Sequence, residues 1–256
     1  MKDMKLYEFW IQVQELTLAS IKSRYRKTWA GFIWVVINPL VMFAVQGLVF
    51  KTFLGIEVPD YYIFLLGGLL PWIFIVSTIQ MATPVIVNNS HLLRSFKIDP
   101  LVLIYAQVLD NFVNFIASLL ITLIPFLFIY KVTFSQFLLM PITLIPILIG
   151  TLSLSIMMAV LGVFFRDINF VLGFIFGLLF YLTPIFYPRE LVPQVWQWII
   201  DINPFYYLLS PFRLSLLNSN TDFWMALIKS IALAITFLMG AVYTWRRKQN
   251  ALYFKL

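Results

Sequence analysis

Cysteine is absent from the 256 residues, and histidine occurs once, as His91. Disulfides and thiolate chemistry are therefore excluded, and a metal site built on several histidines is excluded with them. No glycine is followed by lysine, so the phosphate-binding loop G-x-x-x-x-G-K-[ST] is missing. The motifs H-E-x-x-H and G-x-S-x-G are missing too. The chain cannot be a P-loop ATPase by itself, and we expect no catalytic, metal-binding or cofactor-binding residues in it.

Charge is also scarce, because only 11% of the residues are charged whereas 62% are apolar. A soluble protein has about 25% charged residues, so this chain has too few to cover a surface that faces water. The net charge of +7 could suit nucleic acid, but the basic residues lie beside apolar runs rather than on a soluble face. The composition predicts an all-α polytopic membrane protein without a nucleic-acid partner.

Long apolar runs are what the chain has instead. A membrane-spanning helix needs roughly 20 mainly apolar residues. The pair Arg166 and Asp167 divides an apolar stretch that is too long for one crossing. We predict six spans, at about 29–53, 61–87, 101–130, 137–165, 168–187 and 223–245.

Two segments read differently from these spans. Residues 188–217 hold short apolar pieces interrupted by proline, which predicts re-entrant or interfacial helices before the last span. Residues 5–24 have apolar side chains at helical spacing, which predicts an amphipathic helix in the membrane interface or on a partner. We therefore divide the chain into a cytoplasmic interface helix with a basic segment (1–28) and one six-helix transmembrane domain (29–256).

The distribution of lysine and arginine predicts the orientation. Thirteen basic residues fall on the side that carries both termini and four on the other. Both termini are expected in the cytoplasm.

The third span carries a stripe of polar residues at spacings of three or four, which places them on one face of a helix. They are Gln107, Asp110, Asn111, Asn114 and Ser118. Hydrogen bonding between helices would explain them, and so would a polar lining on a substrate path. Both interpretations stay open.

A set of short motifs resembles a known family. The first combines basic residues with a glycine, a tryptophan and a proline, in the order Lys22, Arg24, Tyr25, Arg26, Thr28, Gly31, Trp34, Pro39 and Leu40. "GLLPW" (68–72), "FFRDI" (164–168), "YLTPIFYP" (181–188) and "NPFYYLL" (203–209) follow in order. Together they resemble ABC-2 type permeases, and among these the exporters of O-antigen, capsular polysaccharide and teichoic acid. Ala30 departs from the pattern, since the family usually has a larger aliphatic residue there.

The resemblance implies the function and the partners. It implies a homodimer of permease chains with two separate ATP-binding-cassette subunits, which would hold the ATP and Mg²⁺. The implied substrate is a polysaccharide on an undecaprenyl-type lipid carrier, exported across the cytoplasmic membrane. A coupling helix would fall at residues 88–100, where Asn88 to His91 look like a helix start.

Candidate roles follow for individual residues. Arg24, Arg26 and Lys27 are expected at the phosphate of the carrier lipid, or only at bulk anionic lipid. Coupling to the ATPase subunit is expected of Asn89, His91, Arg94, Lys97, Arg166 and Asp167, although a charged inner loop or a weak local ion pair would explain these residues as well. Aromatic rings suit the apolar faces of sugars, and the candidates for a glycan path are Trp34, Trp72, Tyr181, Tyr187, Tyr206 and Tyr207.

Two other functions compete with export. An integral-membrane transferase acting on lipid-linked sugars would need a cluster of His, Asp or Glu at the interface, and none is visible in the sequence. A passive channel would need a ring-forming selectivity motif, and we find none. Which polysaccharide is carried does not follow from the sequence.

Overall fold

The structure is a computed structural model that describes residues 6–26, 29–96, 98–129, 134–165, 167–217 and 220–255. Within these ranges it describes the side chains of all but 24–26, 29–36, 125–129, 134–138, 220–221 and 253–254. Most of the described residues are helical, and the described ranges contain no strand. The helices are α1 (Leu6–Arg26), α2 (Trp29–Gly47), α3 (Tyr61–Ala82), α4 (Val85–Asn88), α5 (Ser90–Phe96), α6 (Pro100–Ile129), α7 (Phe134–Phe164), α8 (Ile168–Leu182), α9 (Gln197–Asp201), α10 (Pro204–Leu217) and α11 (Asn220–Lys255). Short helical turns add Leu48–Phe53 (π), Arg189–Leu191 and Gln194–Trp196 (both 3₁₀).

Four of these helices contain a stretch long and apolar enough to cross a membrane. The stretches are Tyr61–Ala82, Pro100–Ile124, Leu139–Phe164 and Asp222–Leu252. Two shorter apolar helical stretches, Ile37–Phe53 and Ile168–Leu182, lie where the first and fifth spans were predicted. The all-α, polytopic class expected from the composition is confirmed.

Several helices end at other residues than the predicted spans, and proline explains two of these differences. The second span was predicted to reach about residue 87, whereas α3 ends at Ala82, just before Pro84. The fifth span was predicted to reach about residue 187, whereas α8 ends at Leu182 because Pro184 cannot continue the hydrogen-bond ladder. The last helix extends beyond the predicted residue 245 to Lys255.

Asx-Pro pairs set two helix starts. Asp99 precedes Pro100 at the start of α6, and its Oδ1 accepts a hydrogen bond from the Leu101 N–H at 2.9 Å. Asn203 precedes Pro204 at the start of α10, and its Oδ1 accepts from the Phe205 N–H at 2.9 Å. A capping oxygen followed by proline at the first helical position is the expected start signal. Burial raises the pKa of the Asp99 carboxyl, although the Leu101 N–H opposes the shift.

The bundle has two faces, which we name by the chain. At the terminal face α2 begins and α11 ends; at the loop face lie the turn of residues 54–60 and the segment 188–202. One apolar core is centred on α3, and Leu66, Leu69 and Ile75 lie deep within it. A second core lies toward the terminal face and joins the segment from Ala82 to Leu93 to α6, α7 and α11. The segment from Ala82 to Leu93 is thereby packed against three long helices.

Helix α1 packs along α6. The rings of Phe9 and Trp10 meet the Tyr105 ring edge-on, with centroids 5.4 and 5.8 Å away. Val13 is fully buried, whereas Leu6 and Leu18 are exposed. The helix therefore has one face against the bundle and a second apolar face outside it, as an interfacial helix would.

Two adjacent glycines let α10 approach α3 closely. A Cβ on Gly67 would lie 2.9 Å from the Cα of Arg213. A Cβ on Gly68 would overlap Nη2 of Arg213 and lie 2.9 Å from the carbonyl oxygen of Ile185. The absence of side chains at 67 and 68 therefore makes room for a buried guanidinium and for a piece of backbone. Glycine at this point of the motif "GLLPW" has a steric cause.

The substitution Gly68→Ala tests that close approach. We expect the melting temperature of the purified protein in detergent to fall, because overpacking a filled interior costs about 1–3 kcal/mol. The control is Gly240→Ala, since a Cβ there would meet only the Met157 side chain, at 3.4 and 3.5 Å. Equal melting temperatures for the two variants would contradict the steric account.

Candidate functional site

A non-helical segment, Thr183 to Tyr187, continues α8 toward the loop face. Thr183, Ile185 and Phe186 are buried, although this backbone makes no helix to satisfy its own polar groups. Irregular backbone at membrane depth is tolerated only where protein or water supplies hydrogen bonds. The partners of this segment therefore decide whether it can stay there.

Three side chains hold this segment: two donate to its backbone carbonyl oxygens, and one donates to the Thr183 hydroxyl. Asn203 Nδ2 donates to Thr183 Oγ1 at 2.8 Å. Arg213 Nη2, from α10, donates to the carbonyl oxygen of Ile185 at 3.1 Å. The Tyr61 hydroxyl, from the start of α3, donates to the carbonyl oxygen of Phe186 at 3.0 Å. We name Tyr61, Asn203 and Arg213 the anchor residues.

None of the three anchors was predicted from the sequence, and Arg213 was only counted among the four basic residues on the side opposite the termini. It is only 8% exposed, and its guanidinium lies 4.1 Å from the centroid of the Phe64 ring. Its Nε makes no hydrogen bond. A ring face and one carbonyl thus hold a cation that no carboxylate neutralises among the described residues. The available signal was its place within the apolar run "SPFRLSLL".

The loop above the anchors is closed by an ion pair. Arg189 Nε and Nη2 donate to the two carboxylate oxygens of Asp201 at 3.1 and 2.9 Å. The bond to Asp201 raises the pKa of the Arg189 guanidinium. Tyr207 donates to the carbonyl oxygen of Asp201 at 2.9 Å. Both ends of the loop, 188–202, are therefore tied to each other as well as to the bundle.

The aromatic candidates divide into buried and exposed rings. Trp72 is 4% exposed and packs edge-on against Phe176 and Phe205, so it belongs to the core in this conformation. Tyr181 is exposed, and its carbonyl oxygen accepts a bond from the Tyr187 hydroxyl at 2.7 Å. Tyr206 and Tyr207 are half-buried neighbours with ring centroids 5.3 Å apart. The Trp34 side chain lies outside the described residues.

The residues of the polar stripe on α6 differ in what they contact. Asn111 Nδ2 donates to Thr78 Oγ1 on α3 at 3.3 Å, and Gln107 Nε2 donates to Asn111 Oδ1 at 3.4 Å. These two residues therefore join α6 to α3. Asp110 is buried. Asn111, Asn114 and Ser118 line a cavity of about 160 Å³ between α2, α3 and α6.

At the terminal face, α5 presents polar residues and one large ring. His91, Arg94 and Phe96 are exposed, whereas Leu93 is buried in the second core. The expected helix start at Asn89 differs in detail: its Nδ2 donates back to the carbonyl oxygen of Val85 at 2.8 Å and closes α4. Helix α5 then begins at Ser90. Lys97 lies outside the described residues.

The turn between α7 and α8 lies beside the last turns of α11. Lys248 Nζ and Lys255 Nζ are 5.1 and 4.8 Å from the centroid of the Phe164 ring. Phe165 and Asp167 are exposed. Arg166 and Lys27 lie outside the described residues. The side chains of Arg24 and Arg26, at the end of α1, are also not described.

The described side chains include no group of three or more His, Asp or Glu that could hold a metal ion. The chemistry that the arrangement supports is binding and movement: an anchored non-helical segment at one face, and a small exposed helix at the other. Each predicted role at these residues stays a prediction.

Comparison with known proteins identifies relatives. The family of ABC-2 type transporters matches residues 11–217. An O-antigen export system permease protein of Klebsiella pneumoniae is 28% identical over 210 residues, which cover 81% of both chains. One of Myxococcus xanthus is 25% identical over 256 residues, which cover 96% of both. A polysialic acid transport protein of Escherichia coli is 23% identical, over 74% of this chain and 75% of its own.

Removing one anchor should destabilise the fold. In Tyr61→Phe the carbonyl oxygen of Phe186 loses its donor, and a buried polar group without a partner costs about 1–3 kcal/mol. We expect a lower melting temperature in detergent. The control is Tyr62→Phe, because the Tyr62 hydroxyl makes no hydrogen bond to any residue the structure describes. An unchanged melting temperature for Tyr61→Phe would show that this bond does not hold the segment.

Proposed function

Because the chain belongs to the ABC-2 type transporter family, we propose that it is the permease subunit of an ABC transporter that exports a lipid-linked polysaccharide. The relatives named as O-antigen export permeases, aligned over 81% or more of the chain, carry this proposal. The polysialic acid transport protein supports the same substrate class. O-antigen, capsular polysaccharide and teichoic acid remain the candidate polymers.

The energy must come from another polypeptide, because the chain has no P-loop. In our proposal a separate ATP-binding subunit holds ATP and Mg²⁺ and contacts the terminal face. Three exposed residues support that placement, because all of them lie at the terminal face. His91 and Arg94 belong to α5, and Asp167 lies in the turn between α7 and α8. Asn89, Lys97 and Arg166 complete the proposed coupling set.

Both termini would then lie in the cytoplasm, with the terminal face toward it. The excess of Lys and Arg at that face supports this orientation. The anchored segment 183–187 and the loop above it would lie at the outer mouth, near the path candidates Tyr181, Tyr187, Tyr206 and Tyr207. Arg24, Arg26 and Lys27 would meet the carrier-lipid phosphate at the inner surface.

The permease would act as a homodimer through α8. This helix packs on α3 and α7 but leaves Phe170 82% and Phe174 70% exposed. A Cβ on Gly177 would meet nothing within 4 Å. Small residues four apart, as in Gly173 and Gly177, let helices approach in a membrane. A second copy of α8 suits this face.

Single cysteines test the dimer directly, because the natural chain has none. We expect Phe174→Cys to form a disulfide-linked dimer on mild oxidation in membranes, since a disulfide needs Cα atoms within about 7 Å. The control is Val113→Cys, an exposed position on α6. Equal cross-linking at both positions, or none on α8 at 170, 174 and 177, would contradict the interface.

Reconstitution tests the function. The chain and a separate P-loop ATPase subunit from the same organism are placed in vesicles with a lipid-linked glycan and ATP. We expect ATP-dependent movement of the glycan that requires both subunits. Nucleotide hydrolysis by the purified chain alone, or termini mapped to opposite membrane faces, would contradict the proposal. The alternative, an integral-membrane transferase, predicts a covalently changed glycan without ATP.

The same assay examines individual residues. Asp167→Ala should leave ATP hydrolysis in place while glycan movement falls, whereas Asp222→Ala, an exposed acid near the loop face, should change neither. Fully coupled transport in Asp167→Ala would remove its coupling role.

Unchanged transport with Arg24→Gln and Arg26→Gln together would leave those residues only an electrostatic contact with bulk lipid.

A further inference from the structure

The cavity between α2, α3 and α6 has an unusual lining for a site inside a membrane bundle. Its volume is about 160 Å³, which is room for several water molecules or one sugar ring. The polar residues that line it come from all three helices, and they are Asn38, Ser77, Asn111, Asn114 and Ser118. Phe74 and Phe115 line it as well.

Asn38 favours a polar occupant for this space. It lies in α2 nine residues after the helix begins, and its side chain is exposed. The carboxamide makes no hydrogen bond within the described part of the chain. Placing an amide in hydrocarbon without a hydrogen bond costs about 4–8 kcal/mol. Lipid tails are therefore a poor neighbour for Asn38.

The lining also limits the chemistry of the occupant. It contains three carboxamides and two hydroxyls but no Lys, Arg, Asp or Glu. Carboxamides donate and accept hydrogen bonds without carrying charge. A phosphate or a metal ion would find no opposite charge here, whereas a neutral molecule with several hydroxyls would find partners for both its donors and its acceptors.

The two phenylalanines complete that description. Their ring centroids are 5.0 Å apart and their planes differ by 26°, so the cavity has an aromatic surface beside its polar groups. A sugar ring has the same division, with apolar C–H faces and hydroxyl edges. A pocket that is largely apolar with a few convergent polar groups is the usual form of a ligand site.

We propose that this cavity is a binding site for one neutral sugar residue of the exported glycan. The site lies within a single chain, and it depends on the proposed export function. Asn38 and Asn114 hydrogen-bond the hydroxyl edges, while Phe74 and Phe115 contact the ring. Asn111 holds α6 on α3 through Thr78 and so fixes the width of the cavity.

The substitution Asn38→Leu tests the site with little risk to folding, since the side chain is exposed and has no described partner to lose. In the reconstituted complex we expect the glycan concentration for half-maximal transport to rise about tenfold, because the variant loses one or two hydrogen bonds to the sugar. Asn38→Gln keeps the carboxamide and should restore most of the affinity. Met42→Leu, an exposed position one turn further along α2, should match the natural chain.

Site-specific cross-linking distinguishes this proposal from the one it depends on. A benzophenone amino acid at position 38 should give a glycan-bearing adduct in cells that make the polymer, and the same group at exposed Val45 should not. Two outcomes would overturn the sugar site and leave the export function standing. One is export without an adduct at position 38, and the other is unchanged transport by the Asn38→Leu variant. A natural complex that moves no glycan would overturn both.

Discussion

The segment from Thr183 to Tyr187 imposes the strongest constraint on this structure. Backbone without a helix cannot remain at membrane depth unless neighbouring groups satisfy it. Here Tyr61 and Arg213 donate to two of its carbonyl oxygens, and Asn203 donates to the Thr183 hydroxyl. Because Gly67 and Gly68 have no side chains, Arg213 has room to reach the carbonyl oxygen of Ile185. One requirement for hydrogen bonds thus sets the approach of α10 to α3.

The two apolar cores pack against different parts of the fold. The core centred on α3 surrounds the anchored segment, whereas the second core joins the region of α4 and α5 to α6, α7 and α11. Leu148 packs against both. A displacement of α5 by a partner would therefore be transmitted to the long helices through Leu93, because close-packed interiors transmit strain.

Polar groups inside the bundle have two kinds of position. Asn111 and Thr78 face each other across a helix pair, and Asn203 ties a buried hydroxyl. Asn38 instead faces a cavity from an exposed position. Such groups are costly in hydrocarbon, so the first kind stabilises helix packing and the second kind implies a polar occupant.

The sequence by itself determined the membrane class and the approximate places of the six apolar helices, because the hydropathy of a span is a local property of the chain. It could not show that the segment after Leu182 is held by Tyr61, Asn203 and Arg213, nor that Arg213 is buried against Phe64. It also could not show that Asn111 bonds Thr78 on α3 while Asn111, Asn114 and Ser118 line one cavity. Those features join residues far apart in the chain, and only the packing of α2, α3, α6 and α10 decided them.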